Sequence, residues 1–337
     1  MPKQRVDVHH HFVPSFYAQA LKDGGGDPSG WIIPDWNLKR DLEFNDQENI
    51  AFTFLTITAP GAGILPLGEE QVKFCRQANE YAAGICSSHP ERYGFFATIP
   101  SLLDSVSAHA EIKYSFDKLG ADGIILYTRY GHGNHYLGHP DFTSTWNLLE
   151  SYRAVVLVHP THPVDTSLVN SLLAQPMIDY PHETTRTAVD LITSGTVRSH
   201  PHVKIILSHA GGTLPYLALR PAAMLPYMRS SGDASTMGDG LAGQEDLISS
   251  FMEDARSFYF DTALSASPLQ LALLKDFARP EQILFGSDFP YAPTPAIRHM
   301  DGLLDEYERK DADLVQSVNT GSALKLFPRL SAVLKSM

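Results

Sequence analysis

The chain has 337 residues, 43% of them hydrophobic and 19% charged, the make-up of a water-soluble globular protein with a large core. Its formal net charge of −12 argues against nucleic acid or anionic membrane as the main partner. An anionic small molecule would need positive charge gathered locally, by a metal ion or a few arginines.

No apolar run approaches the ~20 residues that span a bilayer, and no charged-then-apolar leader is evident. Cys75 and Cys86 are the only cysteines. Both fall in one helical stretch and are expected as free thiols of a reducing compartment, hence a cytoplasmic protein.

In chain order, Val6-Asp7-Val8-His9-His10-His11 reads as an apolar strand that runs into three histidines. Side chains alternate along a strand, so His9 and His11 share a face and His10 takes the other. Two imidazoles on one face can grip a single metal ion. A leftover purification tag would not follow a strand and precede Phe12-Val13-Pro14.

The Gly- and Pro-rich stretch 14–34 is expected as a loop insertion, where a barrel enzyme keeps a substrate lid. A helix over 38–49 leads to the alternating second strand, 51–58. A helix over 69–89 precedes strand 93–100, and a helix over 102–119 precedes the apolar strand 123–127. A polar loop to residue 140 and a helix through Trp146 and Leu149 come next, then a fifth strand, 155–159. Helix 184–194 leads to strand 203–209. The stretch 214–227 is a proline-broken helix, and 229–243, full of Gly, Ser and Asp, predicts a mobile surface loop. Helix 246–255, strand 257–261, helix 269–277 and strand 283–288 complete the pattern.

Strand and helix alternate eight times, and most strands are continuous apolar runs, as in a parallel sheet buried on both faces. Eight such units close as a (β/α)8 TIM barrel, one domain over 1–337 with an insertion after the first strand. No G-x-G-x-x-G opens a helix, so nothing points to a dinucleotide.

In such a barrel the chemistry sits at the C-terminal ends of the strands. His9 and His11, His159, His209 and Asp288 all stand there. A single histidine at a strand end is usually structural. Four of eight strands ending in His or Asp around one mouth is too many ionisable groups to bury without a cation or water. His9, His11, His159 and Asp288 suit one Zn2+, with Mn2+ as the alternative. Strand four ends in Tyr127-Thr128, without a lysine to carboxylate and bridge a second ion.

These elements resemble the amidohydrolase superfamily, and within it the branch of aminocarboxymuconate-semialdehyde decarboxylase and the metal-dependent aromatic acid decarboxylases. The resemblance is carried by Val6-Asp7-Val8-His9-His10-His11, Val158-His159-Pro160, Pro181-His182-Glu183-Thr184-Thr185, Ser208-His209-Ala210-Gly211-Gly212-Thr213 and Phe285-Gly286-Ser287-Asp288-Phe289-Pro290. The stretches 136–140, 159–165 and 177–182 look most like the 6-methylsalicylate decarboxylases.

The resemblance implies one divalent ion on His9, His11, His159 and Asp288, with His209 beside it. It also implies a homodimer in which Arg220 reaches into the partner's site, and a second arginine near Arg40. The implied activity is non-oxidative decarboxylation of an ortho-hydroxy aromatic acid. Losing CO2 directly would leave an aryl anion, whereas protonating the ring carbon first avoids it. Asp288 is expected to be that acid, with His209 and the metal setting its protonation, which requires a pKa raised far above about 3.9.

Trp36 and Phe289, with Trp31 and Tyr291, are expected to wall an aromatic pocket, and Arg129 with His132 to bind a carboxylate or hydroxyl. His10, His135, His139 and His162 read as structural or loop-bracing. The rival is a hydrolase of the same superfamily that opens a lactone or cyclic amide with Asp288 as base. A metal-binding scaffold without turnover would require a blocked mouth.

Overall fold

Eight strands pair in chain order, each parallel to the next: β1 (Arg5–His11), β2 (Ile50–Thr56), β3 (Tyr93–Ala97), β4 (Gly123–Tyr127), β5 (Val155–His159), β6 (Lys204–Leu207), β7 (Tyr259–Asp261) and β8 (Ile283–Leu284). The structure, a computed structural model, describes residues 4–227 and 244–334. Every residue of β1 to β5 is buried, as the unbroken apolar runs require of a sheet covered on both faces.

Beyond the two residues of β8 the chain keeps alongside β1 and closes the ring. Val8 N–H donates to the Phe285 carbonyl at 3.0 Å, Asp288 N–H to His9 at 2.8 Å and His11 N–H to Phe289 at 2.7 Å. Gly286 permits this approach, since a Cβ there would stand 2.8 Å from the Cβ of His9. The architecture is a (β/α)8 barrel.

Connecting helices run from α1 (Ser15–Asp23), α2 (Leu38–Gln47), α3 (Glu69–Ser88), α4 (Ser105–Tyr114), α5 (Thr143–Tyr152) and α6 (Gln175–Thr193) to α7 (Thr196–Ser199), α8 (Leu214–Leu217) and α9 (Leu219–Met224). Then come α10 (Gln244–Ala255), α11 (Pro268–Phe277) and, after β8, α12 (Thr294–Tyr307), α13 (Ala312–Gln316), α14 (Ser322–Leu326) and α15 (Leu330–Leu334).

Several elements differ from the sequence-based expectation. Part of the insertion 14–34 is helix α1, because Tyr17 and Leu21, four apart, bury one face. Helix α6 starts nine residues before Thr184, where the sequence places the helix start, with Pro176 in its first turn and Pro181 inside it. Helices α12 to α15 were not foreseen. The expected mobile loop 229–243 lies outside the described residues.

His10 faces away from the barrel mouth, toward α2. Its Nδ1 is 3.0 Å from Asp7 Oδ2 and its Nε2 2.9 Å from Asp41 Oδ2, so both nitrogens meet carboxylates. Asp7 also takes Ser287 N–H at 3.1 Å, and Asp41 takes Trp36 Nε1 at 2.6 Å and Tyr93 OH at 2.6 Å. This buried network ties β1 to α2, β3 and the chain after β8, and so fixes the strand that carries His9 and His11.

Candidate metal centre and catalytic cavity

At the mouth, His9 and His11 from β1 meet His159 from the end of β5 and Asp288 from the turn after β8. Hydrogen bonds on the far side of each ring set its tautomer. His9 Nδ1 donates to Asp261 Oδ2 at 2.8 Å, and His159 Nδ1 to the Pro160 carbonyl at 2.8 Å. The Thr56 hydroxyl gives its hydrogen to the His10 carbonyl at 2.9 Å and therefore accepts from His11 Nδ1 at 2.8 Å.

Each ring is thus left with Nε2 for the mouth. The Nε2 atoms of His9 and His11 stand 3.2 Å apart, and Asp288 Oδ1 is 3.2 Å from His11 Nε2 and 3.6 Å from His9 Nε2. Ligand atoms of all four residues lie within 4.8 Å of one another. Buried acceptors this close are satisfied only by a shared proton or a cation, and three imidazoles with one carboxylate fit a divalent ion.

Burial pushes the His11 imidazole down to about 4, and burial with two neighbouring imidazoles takes His159 well below its ordinary value. Both are neutral, the form that ligates. Burial also opposes charge on His9, but Asp261 and then Asp288 outweigh it and hold that ring at about 9. A dication competes with that proton for the same lone pair. Burial alone would raise the Asp288 carboxyl. The close approach of His11 Nε2 and the neighbouring His9 and His209 instead hold it well below the usual carboxylate range, the reverse of the expected elevation.

His209 follows β6 with its ring 4.9 Å from that of His9, and its Nδ1 is 3.0 Å from the Ala263 carbonyl. Its own N–H donates to Asp261 Oδ1 at 2.9 Å. Asp261, at the end of β7, went unremarked in the sequence, although Tyr259-Phe260-Asp261 carries the signal that marked the other strand ends.

A cavity of about 320 Å³ opens beside this cluster. His159, His209 and Asp288 form its polar end, and Trp31, Tyr180 and Tyr291 supply rings. Pro176, Met177, Pro181, Leu264, Ala292 and Pro293 give a carbon wall, and Asp27 with Ser29 adds a second polar patch. The wall from the first half of α6 and the patch at Asp27 were not foreseen. Residues 177–182 carry part of the family resemblance, but nothing in their spacing marks them as a cavity wall.

Six of the expected substrate contacts do not line the cavity, among them His132, which is exposed in the loop after β4. The Trp36 indole is committed to Asp41 and packs on Phe12. Phe289 stacks on Phe44 with ring centroids 3.9 Å apart. Arg129 spends its guanidinium on carbonyls, donating to His162 at 2.6 Å, Pro163 at 2.7 Å and Gly131 at 2.9 Å, and so braces the loops after β4 and β5. Arg40 is exposed and pairs with Asp35. Arg220 is exposed on α9, outside the cavity wall of its own chain.

A closed parallel barrel with three imidazoles and a carboxylate converging at the mouth defines an amidohydrolase-type metal site. Residues 6–329 match the amidohydrolase family, and the chain belongs to it. Over 330 residues it is 49% identical to the 6-methylsalicylic acid decarboxylase of Penicillium expansum, covering 98% of each chain. It is 48% identical over 329 residues to that of Aspergillus aculeatus, covering 97% of this chain and 96% of the relative. The fold also matches a dihydroxybenzoic acid decarboxylase from a Polaromonas species, solved with manganese and the inhibitor 2-nitroresorcinol. That match has a TM-score of 0.78 at 19% identity and covers 97% of each chain.

Proposed function

We propose that this protein is a metal-dependent, non-oxidative decarboxylase of an ortho-hydroxy aromatic carboxylic acid, 6-methylsalicylate or a near analogue. The observation that carries the reading is the 49% identity, sustained over 98% of both chains, to an enzyme of that name. The cavity supports it, since its carbon wall accepts a ring with a methyl group and its polar end accepts an acid.

One divalent ion, Zn2+ with Mn2+ as the alternative, held by His9, His11, His159 and Asp288, supplies Lewis acidity for the carboxylate and its ortho oxygen. The side chains do the rest. Trp31, Tyr180 and Tyr291 confine the ring and exclude water from it. His209, its Nδ1 committed to Ala263, keeps Nε2 for a hydrogen bond at the polar end. Asp288, held ionised in the free site, stands beside it as the group that takes up a proton and passes it to the ring carbon bearing the carboxylate. The C–CO2 bond then breaks, its electron pair returns to the ring and CO2 leaves.

Arg220 enters this reading from a second copy of the chain. It lies on α9 among exposed apolar side chains, with Tyr216 82% and Leu219 60% exposed, a face suited to a homodimer interface. A cytoplasmic setting accords with the free thiols of Cys75 and Cys86, and no helix among the described residues is long and apolar enough to cross a membrane.

The test supplies Zn2+- or Mn2+-loaded protein with 6-methylsalicylate and measures CO2 and 3-methylphenol, expected in equal amounts. Benzoates lacking the ortho hydroxyl should be inert. A lactone or cyclic amide that is opened, while no ortho-hydroxy acid releases CO2, would establish the hydrolase instead.

A further inference from the structure

Decarboxylation consumes one proton per turnover, so a cavity filled by a bound ring needs a route by which protons return. Apart from Asp288, Asp27 is the only carboxyl on the wall among the described residues. Its Oδ1 accepts the Ser29 N–H at 2.9 Å and the Ser29 hydroxyl at 2.6 Å, while Oδ2 takes no hydrogen bond from any described residue. The turn that carries it is pinned on two sides. The Ser29 carbonyl accepts Gln175 N–H of α6 at 3.2 Å, and Trp31 Nε1 donates to the Tyr291 carbonyl at 2.9 Å. Asp27 is partly exposed, so it meets both solvent and cavity.

The titratable groups that face it are Tyr17 of α1, His162 after β5, Tyr180 of α6 and Tyr291 after β8. The Tyr291 hydroxyl is buried with no hydrogen-bond partner among the described residues. It lines the same cavity as Asp27 and Asp288. A hydroxyl in that position can accept one proton while giving up another.

We infer that Asp27 is the proton inlet of the cavity, taking protons from solvent and passing them through cavity water and the Tyr291 hydroxyl to the metal end. The inference rests on the decarboxylase reading. In each turnover an Asp27 O–H bond breaks and a C–H bond forms at the ring carbon. The C–CO2 bond breaks with its electron pair returned to the ring, and the Asp27 carboxylate recovers a proton from water at the mouth. Burial raises the Asp27 carboxyl above its ordinary value against the pull of Ser29, which keeps a proton available to give. Asp27 acts through other groups and is a positioning residue for the proton.

The experiment compares Asp27→Asn, Asp27→Glu and Asp27→Ala in the metal-loaded enzyme. Asp27→Asn keeps an oxygen for the two Ser29 bonds and loses only the acid. Its kcat should fall about 10²-fold, with KM and metal content near wild type and a larger solvent isotope effect. Asp27→Glu should recover most of the rate, and added acetate or formate should restore turnover to Asp27→Ala in proportion to concentration. An Asp27→Asn kcat within about twofold of wild type overturns the inference, as does a loss in Asp27→Ala that neither Glu nor added acid repairs. A wild-type enzyme that releases no CO2 overturns the decarboxylase reading and this inference with it, so the two failures are distinguishable.

Discussion

Asp261 holds His9 and His209 with one carboxylate: Oδ2 takes the His9 Nδ1–H at 2.8 Å and Oδ1 the His209 backbone N–H at 2.9 Å. A third bond, from Ala263 N–H at 3.0 Å, keeps the carboxylate from turning. The ring expected to ligate and the backbone that carries the ring expected beside the substrate are therefore held by one carboxylate at the end of β7. Asp261→Ala should weaken metal affinity about 10–100-fold and lower turnover at saturating metal as well. Titration of the stripped variant with Zn2+ checks the first effect, and an unchanged affinity would remove Asp261 from the site.

Removing the ion tests the ligand set as a whole. A ligand that binds only the folded chain stabilises it by about 3 kcal/mol at a hundred times its Kd. Exhaustive chelation should therefore lower Tm by several degrees and abolish CO2 release, and Zn2+ or Mn2+ should restore both. His159→Ala should show the lower Tm without chelation and gain little from added metal. A Tm indifferent to metal in the wild-type protein would mean that the cluster holds no ion.

Much of this site was legible in the sequence because its candidate ligands stand at the ends of apolar strands. His159 closes Val155–His159 and His11 closes Arg5–His11, and the period of a strand puts His9 on the same face as His11. The substrate contacts were not legible. Whether a loop side chain turns into a cavity depends on a partner distant in sequence, which composition and spacing do not reveal. Trp36 found Asp41, Phe289 found Phe44 and Arg129 found the carbonyls of another loop. Pro181 hid the first half of α6, and that half forms one wall of the cavity.

Asp288 carries the sharpest consequence for turnover. Asp288→Asn preserves the shape of the side chain and an oxygen 3.2 Å from His11 Nε2 but cannot carry the proton. The variant should retain much of its metal and lose turnover by about 10³-fold. Metal analysis and CO2 release on one sample decide it, and near-native turnover would end the proposed role.

His10 makes stability depend on pH. Burial disfavours its charge, but Asp41 and then Asp7 outweigh burial and raise the imidazole from 6.5 to about 10. The folded state therefore holds a proton that the unfolded chain has lost above about 6.5. This contribution is complete below about pH 6.5 and is lost as pH rises through about 10. Tm should fall across that window. His10→Ala, which strands Asp7 and Asp41, should cost about 3–5 kcal/mol at neutral pH and flatten the decline. A wild-type Tm that is level from pH 7 to 10 would show that His10 is neutral.

Arg220 decides whether the active site is shared between protomers. It sits outside the cavity wall of its own chain, on a helix flanked by exposed Tyr216 and Leu219. If a partner inserts it, each site uses Asp288 of one protomer and an arginine of the other. Arg220→Ala should then raise KM for the acid with metal content unchanged, because a guanidinium that pairs with a carboxylate is lost. Mixing inactive Asp288→Asn with Arg220→Ala under exchange conditions should regenerate activity. In the mixed dimer, the protomer that keeps Asp288 receives the arginine of its neighbour, and one complete site forms. Activity no greater than the average of the two variants, in material shown by sedimentation to contain mixed dimers, would place Arg220 outside the site.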